Sequence, residues 1–299
     1  MINKPLISVI MNCYNGEKYL SQSIESVINQ TYKNWELIFW DNRSKDQSSK
    51  ILKSFNDKRL KYYLAEEHSL LYKARNLAIE KCKGEFISFL DVDDWWDPNK
   101  LQLQIKKFSD ESVGLVFSKY WFVNQRKKLN KKISSKSKHP TGKVTKYLFS
   151  DFFAAFLTVM IRKKYLSNLE YIFDNRFHII GDYDLVIRLS VVSNFDYVDL
   201  PLAYYRWHDK NETSKHLTLH HRELENWYID MKKNIQISKY KELNYIKIKF
   251  NYLKGMDFAL NNKKLNVLKL FIYFPFTFEK FKLFLLLILP KSIIRKIRT

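Results

Sequence analysis

Two patterns of hydrophobic and polar positions alternate along the first half of the chain. Short apolar runs rich in β-branched and aromatic residues predict strands, and the stretches between them carry apolar residues at helical spacing. The strand candidates are residues 6–11, 35–40, 60–64, 85–90 and 113–122. This alternation is typical of βαβ units, so we predict an α/β fold with a mostly parallel sheet flanked by helices.

Two helices of the first half can be placed from particular residues. An apolar helix face before the second strand candidate is formed by Leu20, Ile24, Val27 and Ile28. Asp97 and Pro98 are expected to be the N-cap and the first position of a helix that runs to about residue 108.

The second half is less regular. Residues 124–145 are basic, contain several serines and lack clear periodicity, which predicts a surface hairpin or loop. Residues 181–192 show a helical pattern and residues 195–207 an extended one. From His216 onward the pattern predicts several helices.

Composition indicates a globular chain with a basic C-terminal part. The 299 residues are 46% hydrophobic, which is enough for a substantial core, and the 6 Gly and 6 Pro form no linker. We therefore expect one main domain with a C-terminal extension. The formal net charge is +21, and residues 231–299 contain 16 Lys or Arg against three acidic residues. Most of the excess charge lies in this tail.

The cysteines and the N-terminus predict a cytoplasmic chain. Cys13 and Cys82 are the only cysteines, and they form neither a disulfide framework nor a metal-ligand pattern. The apolar run at residues 5–11 is too short and too strand-like for a signal peptide.

Polar side chains follow three of the predicted strands. They are Asn12, Tyr14 and Asn15 after the first strand, Asp41 and Asn42 after the second, and Asp91, Asp93 and Asp94 after the fourth. Because an open α/β sheet binds ligands at the carboxyl ends of its strands, we expect a site there. Tyr14 could stack on a base, and Asp41 could accept a hydrogen bond from its ring N–H.

The Asp91-Val92-Asp93 sequence suits a divalent cation. Hard Mg²⁺ or Mn²⁺ prefers oxygen ligands and binds through one or two carboxylates together with substrate phosphates. The motif therefore implies a phosphate-bearing substrate. The alternative is a solvated turn between a strand and a helix, with an aspartate that caps the helix.

Three linked segments carry a resemblance to a known family. They are PLISVIMNCYNGEKYL at residues 5–20, IESVINQTYKNWEL at residues 24–37, and residues 74–94, which begin with ARNL and end with GEFISFLDVDD. In order and spacing they resemble family 2 of the inverting glycosyltransferases, strongly over residues 5–110 and more weakly to about residue 210. The resemblance implies the GT-A fold, a mixed, mostly parallel sheet flanked by helices, here with a C-terminal helical extension.

The resemblance implies a donor site residue by residue. Tyr14, Glu17 and Asp41 match positions near the nucleoside, with Asp41 expected on the uracil ring if the donor is a UDP-sugar. Arg75 matches a position near the donor phosphates and sugar. Asp91 matches a position directed toward the ribose and the donor sugar.

The same resemblance implies the groups that act on the reaction. Asp93 matches the metal ligand, and the segment GDYDL at residues 181–185 resembles the one that holds the catalytic base, assigned here to Asp182. His208 lies in a segment that often faces the donor diphosphate, where it could contact phosphate or metal. A hydrogen-bonded structural histidine is the equal alternative at that position.

Two departures from the family's pattern leave alternatives open. The second acidic residue that often follows the second strand is Asn42 here, and no glycine follows it, so the base preference is less secure. Gly181 stands where an acidic residue often precedes the base. Asp182 or Asp184 could instead cap the helix and pair with Arg188.

These assignments imply a metal-dependent reaction with inversion. Mn²⁺ or Mg²⁺ stabilises the departing diphosphate, while a carboxylate on the opposite face takes the proton of the acceptor hydroxyl. The implied organisation is a nucleotide-sugar-binding part at residues 1–110, an acceptor-side part with the catalytic base at residues 111–215, and a basic amphipathic helical extension at residues 216–299.

The tail predicts a partner of its own. It interleaves Leu, Ile and Phe with Lys and Arg, and its longest apolar run, at residues 283–289, is too short to span a bilayer. Such a sequence suits helices in the headgroup region of an anionic membrane, although the helices could instead pack on the main domain. A peripheral position on the inner membrane would bring the chain to a lipid-linked glycan acceptor, the usual acceptor in surface-polysaccharide or lipopolysaccharide biosynthesis.

We therefore predict an inverting glycosyltransferase that moves a sugar from a nucleotide-sugar, with a UDP-sugar favoured, to a glycan hydroxyl. One alternative is a nucleotide-sugar-binding scaffold that has lost catalysis. The other is a nucleic-acid-binding protein, since +21 charge and 16% aromatic residues could support phosphate contacts and base stacking. Acidic strand ends argue against it, because a groove for a phosphate backbone should be basic.

Overall fold

The computed structural model describes residues 4–125, 130–208 and 216–298. Its strands are β1 Ile7–Cys13, β2 Trp35–Asp41, β3 Leu60–Leu64, β4 Phe86–Phe89, β5 Trp95–Trp96, β6 Val113–Asn124, β7 Asn130–Ile133, β8 Met160–Arg162 and β9 Asn194–Trp207. Its helices are α1 Glu17–Ile28, α2 Ser48–Ser54, α3 Leu71–Glu80, α4 Lys100–Ile105, α5 Thr145–Ser150, α6 Gly181–Val192, α7 Leu217–Lys233, α8 Ile235–Ser238, α9 Asn244–Leu260, α10 Lys264–Tyr273, α11 Phe278–Ile288 and α12 Lys291–Arg298. The chain divides into two compact units, Met1–Leu148 with Phe152–His208, and Phe149–Asp151 with Asp209–Thr299.

The first unit is built on one mixed sheet. Its strand order is β3-β2-β1-β4-β8-β6-β9-β5, and β7 pairs with β6. The strands β3, β2, β1 and β4 run parallel, whereas β8 is antiparallel to both β4 and β6. Parallel neighbours place their carboxyl ends at one edge, so the residues that follow β1, β2 and β4 are brought together there.

The central parallel strands are buried on both faces. All seven residues of β2 are buried, and so are six of the seven in β1. This is why β1 and β2 read as continuous apolar runs, since helices cover both faces of a parallel sheet. The face of α1 with Leu20, Ile24 and Val27 packs into the same core, as its spacing predicts.

The predicted strand positions and the predicted helix at residues 181–192 agree with the structure. The predicted start of one other helix was wrong. The helix α4 begins at Lys100, not at Pro98. Asp97 instead forms a turn, because its Oδ1 accepts from the Asn99 backbone N–H at 2.9 Å and its carbonyl accepts from the Lys100 N–H at 3.1 Å. The same residue pairs with β9 through Leu202, which commits it to the sheet before the helix starts.

The predicted basic hairpin is present where the structure describes it. Residues 130–133 form β7, which pairs antiparallel with the end of β6. Residues 126–129 of that prediction lie outside the described residues.

The second unit is helical, as the tail pattern predicts. Its buried cluster draws on α7, α9, α10, α11 and α12, and contains Leu217, Met256, Ala259, Val267, Phe274, Leu283, Leu286 and Ile294. None of the helices in the described ranges is long and apolar enough to cross a membrane.

Candidate active site

The loops after β1 and β2 are tied to each other by their own polar groups. Asn15 adopts a left-handed backbone with φ of 54°, and its side-chain oxygen accepts from the Lys45 backbone N–H at 2.8 Å. Glu17 opens α1, and its carboxylate accepts from the Gln47 N–H at 2.9 Å. Its own N–H donates to Asp46 Oδ2 at 2.9 Å. Glu17 thus holds the loop after β2 against the start of α1.

Tyr14 follows β1 and presents its ring at the surface of this edge. Tyr14 is 48% exposed, and the centroid of its ring lies 4.2 Å from that of His68. His68 is in turn positioned by Asn42, whose carbonyl oxygen lies 3.0 Å from His68 Nδ1. Two adjacent aromatic rings at a strand end form a surface on which a nucleobase could stack. His68 was not identified from the sequence, because no motif marks it.

The amide side chain of Asn42 makes two hydrogen bonds to the backbone of Ser69. Its Nδ2 donates to the Ser69 carbonyl at 2.7 Å, and its Oδ1 accepts from the Ser69 backbone N–H at 3.1 Å. A carboxylate could accept but not donate, so it could satisfy only one of these two bonds. The departure from the family's acidic residue therefore fastens the loop that carries His68.

Asp41, at the end of β2, is buried with both carboxylate oxygens engaged. Its Oδ1 accepts from the Ser44 backbone N–H at 2.8 Å, and its Oδ2 accepts from the Tyr62 hydroxyl at 2.9 Å. Burial and this hydrogen bond raise the pKa of Tyr62 to about 12, so the phenol stays protonated as the donor. Each carboxylate oxygen retains a second lone pair that could accept from a ligand.

Arg75 and Asp91 form an ion pair at the centre of the edge. Arg75 Nη2 lies 2.8 Å from Asp91 Oδ1, with the guanidinium side chain buried and the carboxylate side chain 47% exposed. Four rings surround the guanidinium, those of Tyr72, Phe89, Phe156 and Phe173. The aromatic faces stabilise the buried cation and fix its direction.

Asp93 and His208 form a second pair at this edge. Asp93 Oδ2 lies 2.9 Å from His208 Nε2, and both side chains are partly exposed. The end of β9 is held at this place by Arg206, whose Nε donates to the Asp93 carbonyl at 2.6 Å and whose backbone N–H donates to Asp94 Oδ1 at 2.8 Å. The sequence did not predict this role of Arg206.

Asp94 belongs to the interior and not to the exposed acidic cluster. It is buried, and its pKa is raised well above the ordinary value by burial and by the neighbouring charges of Asp93 and Asp91. Its bond to the Arg206 N–H makes it a structural link between the loop after β4 and the end of β9. Asp94 is therefore not a cation ligand candidate, although it follows the same strand as the other two aspartates.

Asp93 offers a carboxylate, the kind of ligand that Mn²⁺ or Mg²⁺ prefers, and the phosphate oxygens of a ligand could complete the coordination. Within the described ranges, no group of three His, Cys, Asp or Glu side chains is placed to hold a metal ion. Asp93 could contribute one ligand to a cation, with His208 beside it, and further ligands would have to come from a bound diphosphate.

Asp182 lies in the first turn of α6. Its Oδ1 accepts from the Tyr183 backbone N–H at 2.7 Å. The Tyr72 hydroxyl lies 3.4 Å from the same oxygen and 3.0 Å from the Ile179 carbonyl, so the two acceptors share its one proton. Burial raises the pKa of Asp182 above its ordinary value of 3.8, although the positive charge of Arg75 opposes that rise. The negative charge of Asp91 adds to the rise, so Asp182, Arg75 and Asp91 act on one another electrostatically.

Asp184 has the role that the alternative interpretation of this segment describes. Its Oδ2 lies 2.5 Å from Arg188 Nη2, and the side chain is fully buried. Arg188 also donates to the carbonyls of Tyr171 and Ile172. The ion pair within α6 therefore uses Asp184, and Asp182 is left at the strand-end site.

Gly181 is explained by Tyr72. A Cβ added to Gly181 would lie 2.6 Å from Tyr72 Cδ2, which is far inside van der Waals contact. The missing side chain lets the Tyr72 ring lie against the start of α6 and reach Asp182. Nothing in the sequence spacing connects residues 72 and 181, so this contact was not predicted.

Comparisons with known proteins identify the family and the fold of the chain. The family Glycosyl transferase family 2 matches residues 8–169. The UDP-Glc:alpha-D-GlcNAc-diphosphoundecaprenol beta-1,3-glucosyltransferase WfgD of Escherichia coli is 40% identical over 119 residues, which span 40% of this chain and 47% of that enzyme. This chain thus matches less than half of that enzyme's length.

Two solved structures are similar in fold. S. aureus TarS 1–349 in complex with UDP-GlcNAc superimposes with a TM-score of 0.68 at 15% identity, covering 97% of this chain and 90% of that one. The mannosyltransferase PcManGT from Pyrobaculum calidifontis, in complex with GDP-Man and Mn²⁺, gives a TM-score of 0.60 at 15% identity, covering 84% and 72%.

The fold is that of the GT-A glycosyltransferases, as the sequence resemblance implies. The family match covers more than half of the chain, and this chain belongs to glycosyltransferase family 2.

Proposed function

We propose that this protein transfers a sugar from a nucleotide-sugar, most readily a UDP-sugar, to a hydroxyl of a glycan acceptor with inversion at the anomeric carbon. The observation that carries the proposal is the convergence at one sheet edge of the Arg75–Asp91 pair and the Asp182 carboxylate. A single candidate base beside a donor-binding pair suits one direct displacement.

The donor base and phosphates have candidate partners at this edge. Tyr14 and His68 offer adjacent rings for the base, and Asp41 keeps free lone pairs for a ring N–H. A uridine donor is also favoured by the similarity to WfgD, which uses UDP-Glc by its name, and to TarS, whose structure contains UDP-GlcNAc. Arg75 would orient the donor phosphates and sugar through its fixed guanidinium.

Asp93 and His208 would hold Mn²⁺ or Mg²⁺ against the donor diphosphate. When bound, the ion stabilises the negative charge that develops on the departing nucleoside diphosphate. Arg206 keeps the two ligands together, because it connects β9 to the backbone of Asp93. The Mn²⁺ in the PcManGT structure, which is similar in fold, supports a divalent ion in the proposed reaction.

Asp182 would act as the general base for the acceptor hydroxyl. Burial brings its pKa closer to neutral pH, which makes the carboxylate a better proton acceptor than an exposed aspartate. Tyr72 would help to position the carboxylate through its hydroxyl, which lies between Asp182 and the Ile179 carbonyl.

The proposed acceptor is a lipid-linked glycan in surface-polysaccharide biosynthesis, at the cytoplasmic face of the inner membrane. WfgD acts by its name on a diphosphoundecaprenol-linked sugar. The relative named "Putative teichuronic acid biosynthesis glycosyltransferase TuaG", of Bacillus subtilis, is 36% identical over 124 residues. The basic tail supports a peripheral position on anionic lipid.

The test is nucleotide release from a panel of UDP-, GDP- and dTDP-sugars, with a lipid extract as acceptor. We expect release from a uridine donor in Mn²⁺ or Mg²⁺, loss of release in EDTA, and loss in Asp93→Ala. Glu67→Ala is the matched control, because Glu67 is an exposed carboxylate paired only on the surface with Lys73. Release that persists unchanged in Asp93→Ala would remove the assigned metal site.

The scaffold that binds a nucleotide-sugar without turning it over is the second candidate. It would bind UDP in a calorimetric titration but release no nucleotide with any donor or extract. A steep salt dependence of DNA binding without any donor turnover would instead favour the nucleic-acid-binding alternative.

A further inference from the structure

The helices α10 and α11 bury one apolar face and expose another. Their inward residues, among them Val267 and Leu283, belong to the core of the second unit. On α10, Leu265, Leu268 and Ile272 lie on the outer side at spacings of three and four and are exposed. A surface helix normally carries polar residues opposite its buried face. An apolar outer face therefore requires a partner that is itself apolar.

The exposed residues extend across the connection between the two helices. Ile272, Tyr273, Phe276, Phe278, Phe281 and Ile288 form what we call the α10–α11 apolar surface. Phe276 is 100% exposed and Tyr273 is 88% exposed. Aromatic side chains of this size are rarely left in water as a group, so such a patch marks an interaction site.

The charges around this surface select the partner. Lys263, Lys264, Lys269, Lys280 and Lys282 lie in or next to the two helices, and Glu279 is the single acidic residue between residues 263 and 291. Lys282 Nζ lies 4.7 Å from the centre of the Phe278 ring, so cations and rings share one region. A second copy of the chain would bring like charges together, whereas anionic headgroups would neutralise them.

We infer that the α10–α11 apolar surface inserts into the interfacial region of an anionic lipid bilayer. The aromatic rings and Ile272 enter the boundary between headgroups and acyl chains, while the flanking lysines contact the lipid phosphates. This inference rests on the proposed function for its biological meaning, and it deepens that function by naming the surface and the mode of attachment. Attachment by insertion differs from purely electrostatic attraction because it survives high salt.

The test is flotation of the full chain with vesicles of phosphatidylcholine, with and without phosphatidylglycerol, at about 0.1 M and about 1 M salt. We expect the protein to partition onto the anionic vesicles and to keep a measurable bound fraction at high salt. The double substitution Phe276→Ser with Phe281→Ser should lower the partition coefficient at least about tenfold at both salt concentrations. Both side chains are exposed, so the variant should keep the melting temperature of the parent.

Two further variants separate insertion from charge and from general surface apolarity. Lys264→Gln with Lys269→Gln should weaken partitioning at low salt and leave the fraction bound at high salt unchanged. Leu200→Ser is the matched control, because Leu200 is a half-exposed apolar residue of β9 in the first unit, and it should bind as the parent does.

The inference would be overturned if the Phe276 and Phe281 variant bound vesicles like the parent, or if high salt released the parent completely. It would also be overturned if light scattering showed a dimer that the double substitution dissociates, and the parent did not bind vesicles. The surface would then be a contact between two copies of the chain. Vesicle binding is measured without donor or acceptor. A failure of the proposed reaction would appear as absent nucleotide release in a protein that still floats with vesicles.

Discussion

Gly181 and Tyr72 are in a contact that leaves no room for a side chain at residue 181. An ideal Cβ there would lie 2.6 Å from Tyr72 Cδ2 and 2.7 Å from Cε2. The contact places the Tyr72 hydroxyl next to Asp182, the residue that follows Gly181 in α6. The family often has an acidic residue at the position of Gly181. In this chain the space that its side chain would need is filled by the Tyr72 ring, which supports the proposed base.

Gly181→Ala should lower kcat although alanine favours helices. The added methyl group must displace the Tyr72 ring or the start of α6, which shifts Asp182 from its position. We expect kcat to fall at least about tenfold, since small misplacements of a catalytic group cost up to about 100-fold. Measurements of kcat and KM from nucleotide release test this, with circular dichroism to verify that the variant is folded. A Gly181→Ala variant with the parent's kcat would show that Asp182 does not depend on this contact.

Tyr72→Phe should move the acid limb of the pH profile of kcat to higher pH. The hydroxyl shares its proton between the Asp182 carboxylate and the Ile179 carbonyl, and its interaction with the carboxylate lowers the pKa of Asp182. Its removal raises that pKa further, so the base becomes protonated, and inactive, at a higher pH than in the parent. Tyr147→Phe, an exposed tyrosine of α5, is the control and should leave the profile in place. A profile that scales in height without moving would assign Tyr72 a purely structural role.

Asp182→Asn and Asp184→Asn should fail in different ways. Asparagine at 182 removes the base, so we expect kcat to fall by at least about 100-fold while UDP affinity and melting temperature stay near those of the parent. Asparagine at 184 leaves the buried Arg188 without its carboxylate, which should lower the free energy of unfolding by about 3 kcal/mol. Turnover, UDP titration and denaturant unfolding of both variants separate the two roles. Equal effects on turnover and stability in the two variants would contradict the assignment.

Asn42→Asp should weaken the nucleotide site although it restores the residue common in the family. The carboxylate cannot donate to the Ser69 carbonyl, so the loop that carries His68 loses one of its two bonds to residue 42. We expect a stability loss of about 1–3 kcal/mol and a weaker affinity for UDP. Calorimetric titration with UDP measures the affinity, and Asn34→Asp, at an exposed amide, is the control. Tighter UDP binding by the Asn42→Asp variant would show that an acidic residue at this position itself contacts the nucleoside.

The order of strands and helices could be read from the sequence because the pattern of apolar positions is local. Strand β3 has the predicted bounds and α6 covers the predicted residues. This is because burial on one or both faces of an element produces a regular spacing of apolar residues in the sequence. The start of α4 could not be read in this way. Asp97 had a strong capping signal, but its pairing with Leu202 in β9 took precedence over the local preference.

The site divides along the same line. The sequence determined which residues follow the strand ends, and the sheet topology then brought Tyr14, Asp41 and Asp91 to one edge. The sequence could not show that Asp94 is buried, unlike the exposed aspartates near it, or that Asp184 and not Asp182 pairs with Arg188. The members of each set are close in the chain and differ only in what they contact.

Only the tertiary structure decided those distinctions. Arg206 binds Asp94 from a strand more than a hundred residues away, and Tyr72 meets Gly181 and Asp182 from α3. The aromatic residues of the tail were visible as composition, yet their exposure in α10 and α11 depends on which face the core of the second unit buries. Local periodicity is written into the sequence, whereas the choice of contact partners arises only when distant segments pack together.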